Sequence, residues 1–514
     1  MDAAVEIQSA RRNTLGDALR RSALRAPGRT ALIYESRAWS YAALECAAGR
    51  VAGALLDLGL APGERVAAYG RNSDAYLLAW LGCLRAGLVH VPINYALTAS
   101  ELAYIVRQSG AAALLYDTVL GPNVAALGET PHLRATGCFE GGDGFDVLAR
   151  ACDERARLVA EGPLDDAALV QLLYTSGTTA APKGAMMTHR AFLAHYASCI
   201  VDAAISGEDR SLAALPLYHS AQMHCFMMPH LLTGATSVLI EAPLPELCLR
   251  LIEEQRITSF FAPPTVWIGL LRHADFDRRD LTSLRKIYYG ASIMPLPVLE
   301  ELRRRLPAAR PYNLYGQSEI APLATVLKPE EHELRPASAG RPAFNVETRI
   351  VDFDMNDVPS GVHGEIVHRS PQLMLGYWQK PEETAQAFAG GWFHSGDIGW
   401  RDEEGYLYVV DRLKDIINTG GVVVSSREVE EALFTHPSVS EVAVIALPDA
   451  KWVEAVTAVV VLRSGFEPDE GALLDHARRT LAPFKVPKRI IFTEALPRNT
   501  AGKLLKRELR TAYG

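Results

Sequence analysis

The sequence predicts a layered α/β protein with largely parallel sheets, followed by a β-rich part and a small α+β domain. Over roughly the first 340 residues, helical patterns such as 41–60 and 75–86 alternate with short apolar runs at 66–69 and 89–93. Helices that regularly alternate with short buried strands are typical of parallel sheets covered by helices. The length of 514 residues exceeds what one core supports, so two or more domains are expected.

The pattern changes after about residue 340. Shorter strands, separated by turns, are predicted at 346–351, 364–368 and 406–410, and they indicate a β-rich subdomain. A compact pattern then follows in the order helix 426–435, strand 439–446, strand 455–462, helix 469–481 and a basic tail. This predicts a separate α+β domain of about 100 residues. The expected domains are 1–411 and 412–514, with the boundary near 411–414.

Composition and charge exclude several classes of protein. With 49% apolar and 22% charged residues the chain is ordinary globular material, without the bias of a disordered segment. Its formal net charge of −8 argues against a nucleic-acid-binding protein, which needs basic surface. The N-terminal segment has no apolar signal core, and the most apolar stretch, 76–93, is interrupted by Arg85 and too short to span a bilayer. We expect a cytoplasmic protein with at most weak peripheral membrane contact.

The seven cysteines are widely spaced and form no CxxC pair. An odd number at such spacings does not fit a disulfide framework. The spacing predicts reduced, mostly buried thiols, and neither disulfides nor a zinc site.

The segment YTSGTTAAPKG at 174–184 directly follows an apolar run, which predicts a strand that opens into a phosphate-binding loop. Glycines let backbone N–H groups turn toward a ligand, hydroxyls add donors, and Lys183 supplies a positive charge. The Walker pattern is absent, because Gly184 and Ala185 follow Lys183. A flexible linker is disfavoured, because the amphipathic segment 188–200 comes next.

Five motifs, in a fixed order over nearly the whole chain, resemble those of the acyl-adenylate-forming enzymes, the superfamily of acyl-CoA synthetases, aryl-CoA ligases, peptide-synthetase adenylation domains and beetle luciferases. They are YTSGTTAAPKG at 174–184, YNLYGQSEI at 312–320, WFHSGDIG at 392–399, DRLKDIINTGG at 411–421 and LPRNTAGKLLKREL at 496–509. The resemblance implies an acyl-CoA synthetase that uses ATP, Mg²⁺ and CoA. A carboxylate attacks the α-phosphorus of ATP, and a thiol then displaces AMP from the acyl-adenylate.

The resemblance assigns nucleotide-binding roles. Tyr315 and Gly316 would contact adenine, Ser318 the α-phosphate, and Asp397 and Arg412 the ribose. The β- and γ-phosphates would be held by Thr175, Ser176, Gly177, Thr178, Thr179 and Lys183. Glu319 would coordinate Mg²⁺, because a hard cation prefers carboxylate oxygen. Most relatives have Thr where this chain has Ser318 and Ser395, which keep the hydroxyl.

The C-terminal motifs imply a two-state cycle. Lys503 would bridge the substrate carboxylate and the α-phosphate during adenylation, and the small domain would then rotate about Lys414. The expected CoA contacts are Gly420, Gly421, Trp452, Phe484 and Lys485. The chain reads GGVVVSS at 420–426, where many relatives have GGEN and a later proline, so the thiol step is less firmly implied. Residues 484–510 contain eight basic and two acidic residues, a balance that suits CoA phosphates, an acidic carrier protein or an anionic membrane surface.

A hydrophobic acid is predicted from the segment 211–240, which resembles the wall of the family's acid pocket. It contains no Asp or Glu, whereas an α-amino acid substrate needs an acidic partner for its ammonium group. Met223, Phe226 and Met227 would adapt to an irregular apolar ligand, although a Met-rich stripe is equally typical of plain core. His219 would close the carboxylate end of the pocket. Further wall positions are Pro264, Gly290, Ala291, Gly316, Gln317 and Ala321.

We therefore expect an acid–thiol ligase that activates a medium- or long-chain fatty acid or a bulky aryl or polycyclic acid. Two alternatives stay open: an acyl-AMP ligase that loads a carrier protein, and a nucleotide-binding relative without turnover. The presence of Lys183, Glu319, Asp397 and Lys503 argues against the second alternative. The sequence does not specify the acid, the pathway or the oligomeric state.

Overall fold

The computed structural model of the protein describes residues 3–162, 165–175, 181–290, 292, 294–413, 415–419, 422–449, 451–498 and 504–514. The chain divides into two compact units. The first contains Met1–Pro336, Gly340–Glu347 and His368–Phe393, and the second contains Ala337–Ala339, Thr348–Val367 and His394–Gly514. The expected boundary at 411–414 lies within the second unit, and it stays a prediction.

Two large sheets form the framework of the first unit. Its strands are β1 (Thr30–Tyr34), β2 (Arg37–Ser40), β3 (Arg65–Tyr69), β4 (Val89–Ile93), β5 (Ala111–Tyr116), β6 (Ala135–Cys138), β7 (Phe145–Asp146), β8 (Leu169–Thr175), β9 (Lys183–Thr188), β10 (Arg210–Ala213), β11 (Thr236–Leu239), β12 (Ser259–Phe261), β13 (Lys286–Gly290), β14 (Arg310–Tyr315), β15 (Thr325–Leu327) and β16 (Arg341–Pro342).

Both sheets have a parallel centre. In the described residues the larger sheet has the order β16-β15-β14-β13-β12-β10-β11-β1-β2, and the other has the order β7-β6-β5-β3-β4-β8-β9. Strands β14 to β1 of the larger sheet run parallel, with antiparallel pairs at its two edges. The second sheet is parallel up to its antiparallel edge strand β9. The predicted layered α/β class is confirmed.

Helices cover these sheets. They are α1 (Ala3–Ala10), α2 (Leu15–Arg25), α3 (Tyr41–Asp57), α4 (Asp74–Ala86), α5 (Ala99–Ser109), α6 (Gly121–Ala125), α7 (Val147–Cys152), α8 (His189–Asp202), α9 (Met228–Thr233), α10 (Pro245–Glu254), α11 (Pro264–Arg272), α12 (Leu296–Arg305) and α13 (Pro381–Ala387). One large core cluster joins residues of α3, α4 and α8 to strands of both sheets. Side-chain caps fix several helix starts, for example Thr188, whose hydroxyl accepts a hydrogen bond from the N–H of Ala191 at the start of α8.

The second unit contains smaller sheets. Its elements are β17 (Glu347–Val351), β18 (Gly364–Arg369), β19 (Phe393–Arg401), β20 (Leu407–Arg412), β21 (Ile417–Thr419), β22 (Val422–Val424), α14 (Ser426–Phe434), β23 (Val439–Asp449), β24 (Val453–Leu462), α15 (Glu470–Thr480), β25 (Arg489–Phe492) and α16 (Lys506–Tyr513). Strands β17 to β20 form one sheet, and β21 to β25 form another. The predicted helix–strand–strand–helix order after residue 412 is present.

Two local features differ from the sequence expectations. A short strand, β9, precedes the predicted amphipathic segment and pairs with β8, because its backbone groups complete the sheet edge. Within the predicted pocket segment 211–240, Ala221–Met227 is a π-helix that continues into α9. Short π-helical insertions occur often at functional sites.

A buried histidine in the first unit makes stability depend on pH. His332 receives a hydrogen bond from Tyr289 and donates one to the Lys328 carbonyl. Burial lowers the pKa of His332 from 6.5 to about 4. Above pH 6.5 the imidazole is neutral in both states, but between about 6.5 and 4 the unfolded chain binds a proton that the folded chain does not.

We therefore expect His332 to lower the free energy of unfolding by about 1 kcal/mol per pH unit as the pH falls through this range. Denaturant titrations at several pH values measure the slope. The variant His332→Gln should show a shallower pH dependence. Equal slopes in the two proteins would exclude this contribution.

Candidate active site

Strands β8 and β9 bring together the two described ends of the predicted phosphate loop. Thr175, the last residue of β8, is the cross-strand partner of Lys183, the first residue of β9. The antiparallel pairing explains why residues far apart in the loop motif lie side by side. The predicted residues Ser176, Gly177, Thr178 and Thr179 lie outside the described part of the chain.

Glu319 lies in a short 3-10 turn, Ser318–Ile320, that follows β14. Its side chain is nearly buried, with 9% exposed, and its Oε1 accepts a hydrogen bond of 3.1 Å from the Thr175 hydroxyl. The Tyr377 hydroxyl donates a second bond of 3.1 Å to the same oxygen. Among the described residues none donates a hydrogen bond to Oε2, which fits a carboxylate that presents one oxygen to a cation.

Tyr377 connects Glu319 with the phosphate-loop lysine. The Lys183 ammonium lies 4.7 Å from the centre of the Tyr377 ring, within the range of a cation–π contact. Backbone hydrogen bonds place this tyrosine beside β9, because the Met186 N–H donates to Gly376 and the Trp378 N–H donates to Gly184. Burial, together with the adjacent Glu319 carboxylate, raises the pKa of Tyr377. The sequence motifs did not single out this residue, because its contacts join segments about 60 to 190 positions apart.

Removal of the Tyr377 hydroxyl is expected to reduce the rate of adenylation about tenfold. Tyr377→Phe deletes one hydrogen bond to a charged carboxylate, worth about 1.5 kcal/mol, and leaves the ring beside Lys183. Steady-state kinetics at varied ATP and Mg²⁺ measure the loss. Tyr289→Phe is the matched control, since its hydroxyl binds the remote His332. An equal loss in both variants would exclude a specific role for Tyr377.

The predicted adenine motif continues the end of β14. A Cβ atom at Gly316 would lie 1.9 Å from the Pro322 carbonyl oxygen, so only glycine fits this turn. The Ser318 hydroxyl lies 2.8 Å from that of Ser220, and the Tyr315 ring lies 6.3 Å from His368. Ser220, which the motifs did not single out, links the predicted α-phosphate contact to the predicted acid pocket.

The predicted acid-pocket segment is buried but contributes to two core clusters. Met223 and Met227 belong to the large core cluster between the sheets. Phe226 packs in another cluster, where its ring stacks on Phe261 at 4.5 Å. Phe226 therefore packs in a different core cluster from the two methionines. His219 precedes the π-helix, and its Nδ1 accepts a hydrogen bond from the Ala221 N–H.

The remaining predicted wall positions differ in whether a larger side chain would fit there. A Cβ at Gly290 would lie 2.3 Å from the Leu314 carbonyl oxygen. Ala321 is fully buried in a left-handed conformation, with φ of 75°, which disfavours larger side chains. Pro264 is the first residue of α11 and is buried. Among the residues that the structure describes, no hydrogen-bond partner lies beside the buried Gln317 side-chain nitrogen. Ala291 lies outside the described residues.

The predicted ribose pair is assembled within the second unit. Asp397 in β19 and Arg412 in β20 are cross-strand partners, and the Arg412 Nε lies 3.5 Å from an Asp397 carboxylate oxygen. Only 5% of Asp397 is exposed. The Ser395 hydroxyl accepts a bond from the Asp397 N–H, which fixes the turn before it.

The predicted hinge is followed by a polar network in the second unit. The Asp411 carboxylate accepts hydrogen bonds from the Ser426 N–H at 2.7 Å and hydroxyl at 2.6 Å. The Ser426 hydroxyl in turn accepts a bond from Lys506 at 2.6 Å. The proline common at this position in relatives has no N–H, so this departure from the family pattern creates the Asp411 contact. Lys414 and Lys503 lie outside the described residues.

Of the predicted CoA contacts, Lys485 is already paired. Its ammonium lies 2.6 Å from Glu428 and 5.7 Å from the centre of the Phe484 ring. The Trp452 ring lies about 5 Å from two ammonium groups, those of Lys451 and Lys488. Gly420 and Gly421 lie outside the described part of the chain.

Comparison with known proteins decides the family. Residues 19–378 match the AMP-binding enzyme family, and residues 428–503 match the AMP-binding enzyme C-terminal domain. The chain belongs to the AMP-binding enzyme family. A feruloyl-CoA synthase from Amycolatopsis is 38% identical over 96% of this chain and 98% of its own length.

Two further similar proteins extend the comparison. A fatty acid–[acyl-carrier-protein] ligase, ScoC, from Streptomyces coeruleorubidus is 33% identical over 95% of this chain and 94% of its own. The crystal structure of the anthranilate CoA ligase AuaEII with anthranoyl-AMP has a TM-score of 0.91 and 26% identity, and it covers 98% of this chain and 97% of that one.

These similarities confirm the family resemblance stated from the motifs and the class of enzyme, an acid–thiol ligase that forms acyl-adenylates. ATP is bound in one of the similar solved structures, and CoA is the thiol in the names of several relatives. The named acids of the relatives differ from one another, so membership of the family leaves the acid open. None of the helices in the described residues has the length and apolar character that a membrane crossing needs.

Proposed function

We propose that the protein is an ATP- and Mg²⁺-dependent acyl-CoA synthetase for a hydrophobic carboxylic acid, either a medium- or long-chain fatty acid or a bulky aryl or polycyclic acid. The observation that carries this proposal is the arrangement around Glu319. A nearly buried carboxylate is held by two hydroxyls, and the ring of one of them contacts the Lys183 ammonium. The Lys183 ammonium suits the negative charge of a polyphosphate, and the Glu319 carboxylate suits the metal ion that accompanies it.

The residues of the first unit would neutralise and position the phosphates. Glu319 would hold Mg²⁺ through the oxygen that Thr175 and Tyr377 leave open. The bound ion would supply positive charge to the phosphate oxygens. Lys183 would stabilise the pyrophosphate, and Ser318 would donate to the α-phosphate. Because charges fixed in advance need no reorganisation during the reaction, this arrangement favours attack by the carboxylate.

The second unit would contribute the ribose contacts and the catalytic lysine. The Asp397 carboxylate has two acceptor oxygens, which suit the two ribose hydroxyls, and Arg412 orients that carboxylate through the contact of 3.5 Å. Lys503 would bridge the attacking carboxylate and the α-phosphate. Residues 411–414 would form the hinge between domains 1–411 and 412–514. The hydrogen bonds of the Asp411–Ser426–Lys506 network would stabilise the hinge in the conformation seen here.

The thiol substrate has two candidates. CoA is supported by the similarity to the feruloyl-CoA synthase. A carrier protein is supported by the similarity to ScoC and by the ion pair of Lys485 with Glu428, which occupies one predicted CoA contact. We favour CoA, because the glycine pair at 420–421 is retained.

AMP release across a panel of acids, with and without CoA, tests the function. We expect multiple turnovers with apolar acids and CoA, and little AMP release without a thiol. Turnover with a carrier protein but not with CoA would favour the alternative ligase. Absence of AMP release with every acid, thiol and carrier would contradict enzymatic activity of this kind.

The length of the acid is expected to set kcat/KM. Each added methylene that is buried should raise kcat/KM up to about fourfold, since its burial is worth about 0.8 kcal/mol, until the pocket is full. Acetate and free amino acids should be poor substrates. Phe226→Leu should extend the optimum to longer acids without changing the KM for ATP. Phe260→Leu is the matched control, because Phe260 is equally buried but packs on Trp267 in another cluster.

Equal efficiency with acetate and octanoate would contradict an apolar pocket. An altered KM for ATP in Phe226→Leu, with unchanged acid preference, would place Phe226 outside the pocket wall.

A further inference from the structure

A group of soft metal-binding side chains lies in the first unit, beside the predicted acid-pocket segment. His195 and Cys199 are four residues apart on α8 and so share one helix face. Cys225 comes from the π-helix Ala221–Met227. All three are buried, with exposed fractions of 0%, 0% and 4%, and their ligand atoms lie within 4.8 Å of one another.

The distances suit a tetrahedral ion. The His195 Nε2 lies 3.3 Å from the Cys199 sulfur and 3.9 Å from the Cys225 sulfur. Zinc binds sulfur at about 2.3 Å and imidazole nitrogen at about 2.0–2.1 Å, so a tetrahedral site separates nitrogen from sulfur by about 3.6 Å and sulfur from sulfur by about 3.8 Å. The observed distances lie on either side of that value. Each nitrogen–sulfur distance is within about 0.3 Å of the tetrahedral value, and the two sulfurs lie within 4.8 Å of each other.

The apolar surroundings and the types of ligand atom favour one kind of metal ion. Cys199 and Cys225 belong to an apolar cluster that includes Phe226, Phe261 and Tyr288. An apolar interior penalises uncompensated charge. Two thiolates balance the two positive charges of zinc, and a neutral imidazole adds none. Thiolate and imidazole ligands also favour zinc over magnesium or calcium, which prefer oxygen.

We propose that His195, Cys199 and Cys225 bind one Zn²⁺ ion, with a water molecule as the fourth ligand. This proposal departs from the expectation of no zinc site, which rested on the wide spacing of the cysteines along the chain, because the fold brings the three side chains together. The ion would tie α8 to the π-helix. Because Cys225 is the neighbour of Phe226, it would also fix the wall on which Phe226 stacks against Phe261. This structural site goes beyond the proposed catalytic function and does not require it.

Metal content and cobalt absorption of the full-length protein test the site. The protein is expressed in medium with Zn²⁺, or with Co²⁺ in its place, so that the ion is present while the chain folds, and is then purified under reducing conditions. We expect about one ion per chain and a thiolate-to-cobalt charge-transfer band. Bound zinc should also raise the melting temperature relative to the chelated protein, because a ligand bound only to the folded state stabilises it.

Alanine variants distinguish a bound ion from an ordinary buried thiol cluster. Cys199→Ala and Cys225→Ala should each weaken the cobalt band, and the double variant should lose both the band and the zinc-dependent rise in melting temperature. Cys248→Ala is the matched control, because Cys248 is fully buried in another cluster, and it should keep both signals.

Three results would overturn the proposal. The first is wild-type protein with no more metal than the double variant. The second is an equal loss of signal in Cys248→Ala. The third is a Cys199–Cys225 disulfide in protein that takes up no ion after reduction. Circular dichroism of each variant confirms that the fold is retained before the signals are compared.

Discussion

Replacement of Lys503 by alanine is expected to slow adenylation about 10²-fold or more, as for the loss of one preorganised charge at the reacting phosphate. Thioester formation from supplied acyl-adenylate should continue, because that step would use the other orientation of the C-terminal domain. Rapid-quench measurement of each half-reaction separates the two effects. A uniform loss would point to damaged folding or to a different role.

The control for Lys503→Ala is Arg479→Ala. Arg479 is an exposed basic residue in the last turn of α15, so its removal changes the charge of the same domain by the same amount. Both half-reactions should keep their wild-type rates. If Lys503→Ala slowed both steps equally while the control stayed active, the assignment of Lys503 to adenylation would be wrong.

Asp397→Ala is expected to weaken binding of ATP and AMP by roughly 2 to 4 kcal/mol, because two ribose hydroxyls would lose charged hydrogen-bond acceptors in a nearly buried position. This energy corresponds to a change in Kd of roughly 30- to 1,000-fold. Calorimetric titration with each nucleotide measures it directly. The loss should be similar for the two nucleotides, because they share the ribose.

Asp357→Ala provides the comparison for Asp397→Ala. Asp357 also pairs with an arginine, Arg349, at 2.9 Å, but it is exposed and belongs to no motif. Nucleotide affinity should be unchanged in this variant. Wild-type affinity in Asp397→Ala would remove Asp397 from the nucleotide site.

Local patterns in the sequence predicted the elements well. The helix expected at 41–60 is found at Tyr41–Asp57, and the strand expected at 89–93 is found at Val89–Ile93. Both have strong apolar periodicity, which depends only on neighbours along the chain. Asp397 and Arg412, which the motifs assign to one ribose, lie opposite each other on adjacent strands, and their ribose role stays a prediction.

Contacts between distant segments could not be predicted in this way. Tyr377 reaches Glu319 because a loop after β18 pairs with β9, and no local pattern encodes that pairing. The bond between Lys485 and Glu428 joins residues 57 positions apart, so a lysine expected at CoA phosphates is found in an ion pair. Likewise, the π-helix that brings Cys225 to His195 follows from packing rather than from periodicity.

Acid-dependent exchange of labelled pyrophosphate into ATP, in the absence of any thiol, tests the central claim most directly. Formation of an acyl-adenylate is reversible and releases pyrophosphate, so exchange should require the acid, ATP and Mg²⁺ together and should be strongest with apolar acids. CoA should not be needed. Exchange that proceeds without an acid, or thioester formation that releases ADP and phosphate instead of AMP and pyrophosphate, would contradict the proposed chemistry.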